Sequence, residues 1–311
     1  MRTVRAVDEL RSALAPARRE TRTIGLVPTM GALHEGHLSL IRRARRECDI
    51  VVVSLFVNPA QFDERSDLER YPRVAARDAQ LAADAGADVL FAPPVEEVYP
   101  PGFATSVVVG GLGERLEGEI RGAKHFRGVA TIVAKLLGMA LPDAAYFGQK
   151  DAQQLVVIRR LVADLNLPVR VQACPTVREP DGLAMSSRNA RLNPTERAQA
   201  LALSEALRAA GHAASAGERS SDALLGAARA AMRERGVTPD YLELVDPDTL
   251  EPCDELTREA LLLIAARIGD TRLIDNALVR PSPAPGAFRR DQLRPANQPG
   301  PGHSNPRKAV A

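Results

Sequence analysis

Unbroken apolar runs alternate along this chain with segments whose apolar residues return every three or four positions. Val4, Val7, Leu10 and Leu14 have helical spacing, so the chain is predicted to open on an amphipathic helix. TIGLVP (23–28) reads as a buried strand stopped at Pro28. Beyond the TMGAL loop, Leu38, Leu40, Ile41 and Ala44 mark one face of a second helix. IVVVSLFV (50–57) is apolar throughout, as strands buried on both faces of a parallel sheet are. The alternation continues through a helix over 74–85, a strand over 87–93, a strand and turn within 105–118, and a helix over 129–139. A strand over 144–148, a helix over 151–165 and a strand over 169–175 complete it. Strands alternating with helices predict an α/β fold, a Rossmann-like doubly wound parallel sheet.

After about residue 180 the texture changes. Two Ala-rich helices (194–215 and 219–235) precede DYLELVD, EALLLIAARIG and TRLIDNALV, three strands of a smaller α+β unit. The predicted division is 1–177, then 178–280 with a MSSRN loop at its start, then 281–311. That last segment is rich in Pro and Gly and without apolar periodicity, so it is predicted to be disordered. NPAQFDERSDLERYPR (58–73) is polar and aperiodic and reads as a long loop over a site.

Charge narrows the function. Basic residues number 41 and acidic ones 39, a balance unlike the net basic face of a nucleic-acid or membrane-surface binder. The three cysteines, Cys48, Cys174 and Cys253, lack CxxC spacing and read as reduced thiols. The charged N-terminus does not resemble a signal peptide, and no apolar run approaches the ~18 residues of a membrane span. A cytoplasmic location is expected.

Ligands of open α/β sheets sit beyond the carboxyl ends of the strands. PTMGALHEGH, NPAQF, GQKDAQQ and REPDGLAMSSRN each follow an apolar strand. HEGH (34–37) alone admits a metal, a helix cap or a phosphate site. Zinc would want further ligands, and the other histidines are only His125, His212 and His303. The phosphate reading has a mechanism: a helix N-terminus offers free N–H groups, His34 and His37 share one face of its first turn, and Gly36 lets a nucleotide approach. Lys150 follows Gly148 and precedes Asp151, a candidate N-cap, and would point into the crevice. One of Gln153 and Gln154 can face it too. Ser186, Ser187 and Arg188 suit a leaving pyrophosphate. Asn58 and Gln61 are neutral amides that recognise hydroxyls and carboxylates, or else form an Asx turn.

In order, PTMGALHEGHLSLI, VVSLFVNPAQF, FRGVATIVAKL, FGQKDAQQL and GLAMSSRN resemble the pantoate–β-alanine ligase family, within the HxGH nucleotidyltransferase-like superfamily. MSSRN stands at the KMSKS position, and the likeness covers roughly 1–280. RGAKHFRG (121–128), which reads as a turn, departs from it, with Lys124 where glycine is usual. The resemblance implies ATP-dependent activation of pantoate to pantoyl adenylate with Mg²⁺, then displacement of AMP by β-alanine. It implies His34, His37 and Lys150 at the phosphates, and an ATP site completed by Met30, Gly36, Gly148, Asp151, Val177, Met185, Ser186, Ser187 and Arg188. Pantoate would be held by Gln61, Gln154, Asn58 and Met30, and Mg²⁺ by Asp78. The segment 63–73 would be a gate, and the enzyme a homodimer. Transfer of AMP to a phosphate-bearing acceptor, a non-catalytic nucleotide-binding module and tRNA charging are the rival readings. Paired glutamines, the convergence of two histidines, a lysine and an SSR loop, and near-neutral charge speak against them in turn.

Overall fold

The computed structural model describes residues 1–62 and 65–282, with only the main chain of 65–67 and 123. Residues 1–281 form one compact unit. The elements run β1 (Arg2–Val4), α1 (Val7–Arg19), β2 (Ile24–Thr29), α2 (Glu35–Glu47), β3 (Ile50–Leu55), α3 (Arg65–Arg70), α4 (Ala75–Asp84), β4 (Val89–Phe91), α5 (Val95–Val98), α6 (Glu117–Arg121), α7 (Ala123–Ala140), β5 (Ala144–Gly148), α8 (Ala152–Asp164) and β6 (Arg170–Cys174). Then come α9 (Pro194–Ser215), α10 (Ser221–Glu234), β7 (Tyr241–Val245), β8 (Ala260–Ile268) and β9 (Thr271–Val279).

Six parallel strands form one sheet in the order β1-β4-β3-β2-β5-β6. The order reverses between β2 and β5, which makes a crevice at their carboxyl ends. Both faces are covered, which is why β3 is apolar throughout. On one side lie Leu10 and Leu14 of α1, Val133 and Leu136 of α7, and Ile158 of α8; on the other lie Leu40 and Ile41 of α2. Leu10, Leu14 and Ile41 are fully buried, each contributing ~1.5–3 kcal/mol. β7-β8-β9 form a separate antiparallel sheet backed by α9 and α10. Pro194 and a reciprocal Asn193–Glu196 cap start α9 where the Ala-rich pattern begins.

Four expectations need correction. Val4 belongs not to a first helix but to a three-residue strand paired with β4; its helical spacing with Val7 is a coincidence, since its partner Phe91 is far off in sequence. The stretch 58–73 is not all loop: it contains a 3₁₀ turn at Pro59–Gln61 and the helix α3. No paired strand occupies 105–118; the chain there turns over 110–116 and enters α6 at Glu117, and Val107 N–H donates to the Thr131 hydroxyl instead of a neighbouring strand. RGAKHFRG is helical rather than a turn, spanning the end of α6 and the start of α7. The expectation for 281–311 lies, after its first two residues, outside the described residues.

Candidate active site

The turn between β2 and α2 is built around Asp78. Gly31 and Ala32 have positive φ (93° and 52°), and Asp78, 1% exposed, accepts from the N–H groups of Ala32 (2.9 Å) and Leu33 (2.8 Å) with its two carboxylate oxygens. The expectation that Asp78 holds Mg²⁺ needs correction. It lies outside the cleft lining, and its oxygens are committed to the main chain; its place is under the loop that presents the histidines.

His34 caps α2, its Nδ1 accepting from Gly36 N–H (3.1 Å). The His34 N–H donates in turn to His37 Nδ1 (3.4 Å), and the rings lie 4.1 Å apart. Burial pushes both imidazoles down, His34 helped by the Lys150 charge and His37, to about 3, by His34. Both are therefore neutral near pH 7. A neutral imidazole that accepts at Nδ1 carries its proton on Nε2. Each histidine thus keeps one N–H to donate. Gly36 has a further reason besides the one expected: a Cβ there would sit 2.8 Å from His34 Cε1, so the glycine makes room for the capping ring.

The loop after β3 presents Gln61. Its Nε2 donates to Met30 Sδ (2.9 Å), and its Oε1 accepts from Asn58 Nδ2 (3.0 Å). Asn58, expected to bind pantoate, is 1% exposed and already makes four hydrogen bonds. Its Nδ2 also donates to Gly128 O (3.1 Å), and its Oδ1 accepts from Ala60 N–H (3.3 Å) and Tyr99 Oη (2.7 Å). Nothing remains for a ligand, so Asn58 acts by holding Gln61.

Across the switch point, Gly148 ends β5 and the 3₁₀ turn Gln149–Asp151 carries Lys150, whose Nζ lies 3.7 Å from Asp151 Oδ1. Asp151 makes no side-chain cap to α8. Of the two glutamines, Gln153 is a brace: its Nε2 donates to the carbonyls of Leu112 and Arg115, and its Oε1 accepts from Glu117 N–H. Both glutamines line the cleft, but the Gln153 amide is spent on those bonds, which leaves Gln154 to meet a ligand. Beyond β6, Val177 and Met185 are bonded main chain to main chain (2.9 Å) in a hairpin whose Arg178 pairs with Asp275 of β9. Ser186 caps the 3₁₀ turn Ser187–Arg191 by accepting from Arg188 N–H (3.2 Å).

One cleft is lined by all of these expected site residues except Asp78. It also contains residues to which the sequence assigned no role. His125, 6% exposed, donates from Nδ1 to Gln61 O (2.9 Å) and accepts at Nε2 from Arg121 (3.1 Å). Burial, then the Arg121 charge, lowers it to about 4. Glu117, Tyr241 and Asn276 come from α6 and the C-terminal sheet. His125 lies in the RGAKHFRG string; the polar pair Asp275–Asn276 inside an apolar strand is the visible signal for β9.

His125 sets a pH dependence. Its folded value lies below the ordinary 6.5, so protonation favours the unfolded chain: stability is whole above about pH 6.5 and falls toward pH 4. At about pH 5 the cost is ~2 kcal/mol for this group. Thermal melts should show a smaller loss from about pH 7 to pH 5 in His125→Gln than in the wild type. Equal losses would mean that His125 does not titrate in this range.

Together these features define a Rossmann-like α/β protein of the HxGH type, with its cleft at the switch point of the sheet. Known proteins narrow the class. A model of the pantoate–β-alanine ligase family matches residues 2–278. Pantothenate synthetase 1 of Bradyrhizobium diazoefficiens is 53% identical over 285 residues, 91% of this chain and all of that one. A Roseiflexus castenholzii pantothenate synthetase is 54% identical over 280 residues, 90% of this chain and 99% of its own. Among solved structures, the Thermus thermophilus enzyme superposes with a TM-score of 0.86 at 50% identity, over 90% of this chain and all of that one. The Francisella tularensis ligase, complexed with β,γ-ATP and β-alanine, gives 0.74 at 34%, covering 89% and 97%. The chain belongs to the pantoate–β-alanine ligase family, and its activity is the ATP-dependent formation of pantothenate.

Proposed function

We propose that the cleft activates pantoate as an acyl adenylate and then passes the acyl group to β-alanine. A carboxylate oxygen of pantoate attacks the α-phosphorus of ATP, and pyrophosphate leaves. The β-alanine nitrogen then attacks the acyl carbon; AMP leaves, and the nitrogen gives up its proton. The observation that carries this reading is the convergence of two Nε2–H donors, His34 and His37, with Lys150 across the switch point. Fixed donors of this kind stabilise charge that grows on phosphate oxygens. Ser186, Ser187 and Arg188 hold the triphosphate, Gly148 and Asp151 lie at the ribose, and Val177 and Met185 complete the ATP site. The Met30 main chain meets the reacting carboxylate. Gln61 and Gln154 hold pantoate, with Asn58 behind Gln61.

Tyr71 lines the cleft and meets Phe62 edge-on at 5.6 Å. It supports assigning the stretch through Arg73 to shielding the adenylate from water; Asp63 and Glu64 lie outside the described residues. The described residues contain no cluster of three metal-ligating side chains, and Asp78 is spent on backbone N–H groups. These residues do not make a protein cage for Mg²⁺, which would enter with the triphosphate as part of the substrate. Homodimeric assembly and a cytoplasmic location belong to the same proposal. Among the described residues no helix is long and apolar enough to cross a membrane.

Exchange of labelled pyrophosphate into ATP tests the route: it should require pantoate and proceed without β-alanine. Exchange without pantoate, or none with it, would sink the adenylate. Gln61→Ala and Gln154→Ala should each raise the pantoate KM by about 10-fold or more, the scale of ~1.4 kcal/mol or above for a polar group in a closed site, with the ATP KM little changed. Unchanged pantoate kinetics in both variants would remove these residues from its site.

A further inference from the structure

The turn that carries Lys150 is held by the C-terminal sheet. Asn276 of β9 is 4% exposed, and its Nδ2 donates to the carbonyls of both Gln149 and Lys150, at 2.9 Å each. A carboxamide nitrogen has two hydrogens, and both go to consecutive carbonyls of one 3₁₀ turn.

The strand that supplies Asn276 is itself pinned beside the cleft. Asp275 takes a two-pronged bond from Arg178 (2.6 and 3.0 Å). Arg272, four residues from Asn276 and on the same face of β9, pairs with Glu117 (2.7 Å) and with Asp240 (2.7 Å). Glu117 also accepts from Tyr241 Oη (2.9 Å), and its N–H donates to Gln153 of α8 (3.1 Å). The path therefore closes on itself, from Lys150 along α8 to Gln153, then through Glu117, Arg272 and Asn276 back to the Lys150 carbonyl. Leu116, at φ 54° and ψ −113°, is held in a strained conformation beside it. Such strain persists only where neighbours over-determine it, and the three hydrogen bonds of Gln153 to this segment do so.

We propose that Asn276 is a positioning residue for the ligase reaction: by clamping the Gln149 and Lys150 carbonyls it fixes the main chain from which the Lys150 ammonium reaches the phosphates. The inference rests on the assignment of Lys150 to the phosphates. Misplacing a reacting group by about 1 Å costs up to ~100-fold; loss of a clamp on its main chain should cost about 10-fold in the adenylation rate.

A double-mutant cycle tests it. Asn276→Leu keeps the branched outline and removes the donors; Asn276→Ala, which removes them without adding bulk or charge, is read the same way if the leucine variant does not fold. In the wild-type background the variant should lower kcat for pantoate-dependent pyrophosphate exchange about 10-fold, with the pantoate KM changed far less. In the Lys150→Ala background it should cost nothing further, because the group it aims is gone. An equal fold-loss in both backgrounds, or no loss in the first, overturns the proposal. Full activity of Lys150→Ala alone would instead overturn the assignment of Lys150.

Discussion

Alanine at Lys150 or at His37 should lower turnover at least ~100-fold, the scale of removing one fixed donor from a developing oxyanion. The two side chains reach the cleft from opposite sides of the switch point, one from the turn after β5 and one from the first turn of α2. Neither is replaceable by its neighbours. His37 is neutral near pH 7 and gives a proton-bearing Nε2 without bringing a charge that ATP would have to desolvate. Lys150 brings full charge. The loss should be chemical rather than structural. The Lys150–Asp151 ion pair is loose at 3.7 Å, and the His34–His37 bond is long at 3.4 Å, so each variant should keep its stability to within ~1 kcal/mol. Single-turnover pyrophosphate release, with thermal melts as the control for folding, is the measurement. Turnover near wild type in either variant would remove that residue from the phosphate path.

Much of this site is legible in the sequence, because parallel strands buried on both faces announce themselves as apolar runs and the crevice must follow their ends. The ends of those runs bring HEGH, NPAQF, GQKD and MSSRN to the cleft. What is not legible is how polar capacity is shared among them. Asn58 and Gln61 differ by three positions, yet one is saturated by Gly128, Tyr99 and Ala60 while the other meets the cleft. Gln153 and Gln154 both line the cleft, yet the amide of the first is spent as a brace for residues 112–117. Most of these partners lie tens of residues away in the chain, and no local pattern encodes them. The same holds for Asp78, a carboxylate matched by resemblance to a metal, whose two oxygens in fact stabilise a backbone turn. β1 escapes because three residues at a sheet edge carry no periodicity.

The glycines of α7 offer the second large effect. Gly128→Ala would place a Cβ against the main chain of the Pro59–Gln61 turn, in collision with Ala60 O, 2.5 Å from Ala60 C and 2.7 Å from Gln61 N. Backbone cannot swing aside as a side-chain tip can, so the helix or the turn must move. Overpacking of this kind costs ~1–3 kcal/mol and sometimes more. The displaced turn is the one that carries Gln61, and Gly128 O is also the acceptor for Asn58. The variant should therefore lose stability and pantoate affinity together, with a pantoate KM raised by about 10-fold or more, as when a polar group in a closed site is left unpaired. Gly138→Ala in the same helix is the internal comparison. Its position is exposed and a Cβ there meets nothing within 4 Å, so alanine should stabilise by ~0.5–1 kcal/mol through helix propensity and leave kinetics alone. Denaturant melts and pantoate titrations on both variants decide it. If Gly128→Ala is as stable and as active as Gly138→Ala, the close approach of α7 to the Gln61 turn does not shape the pantoate site.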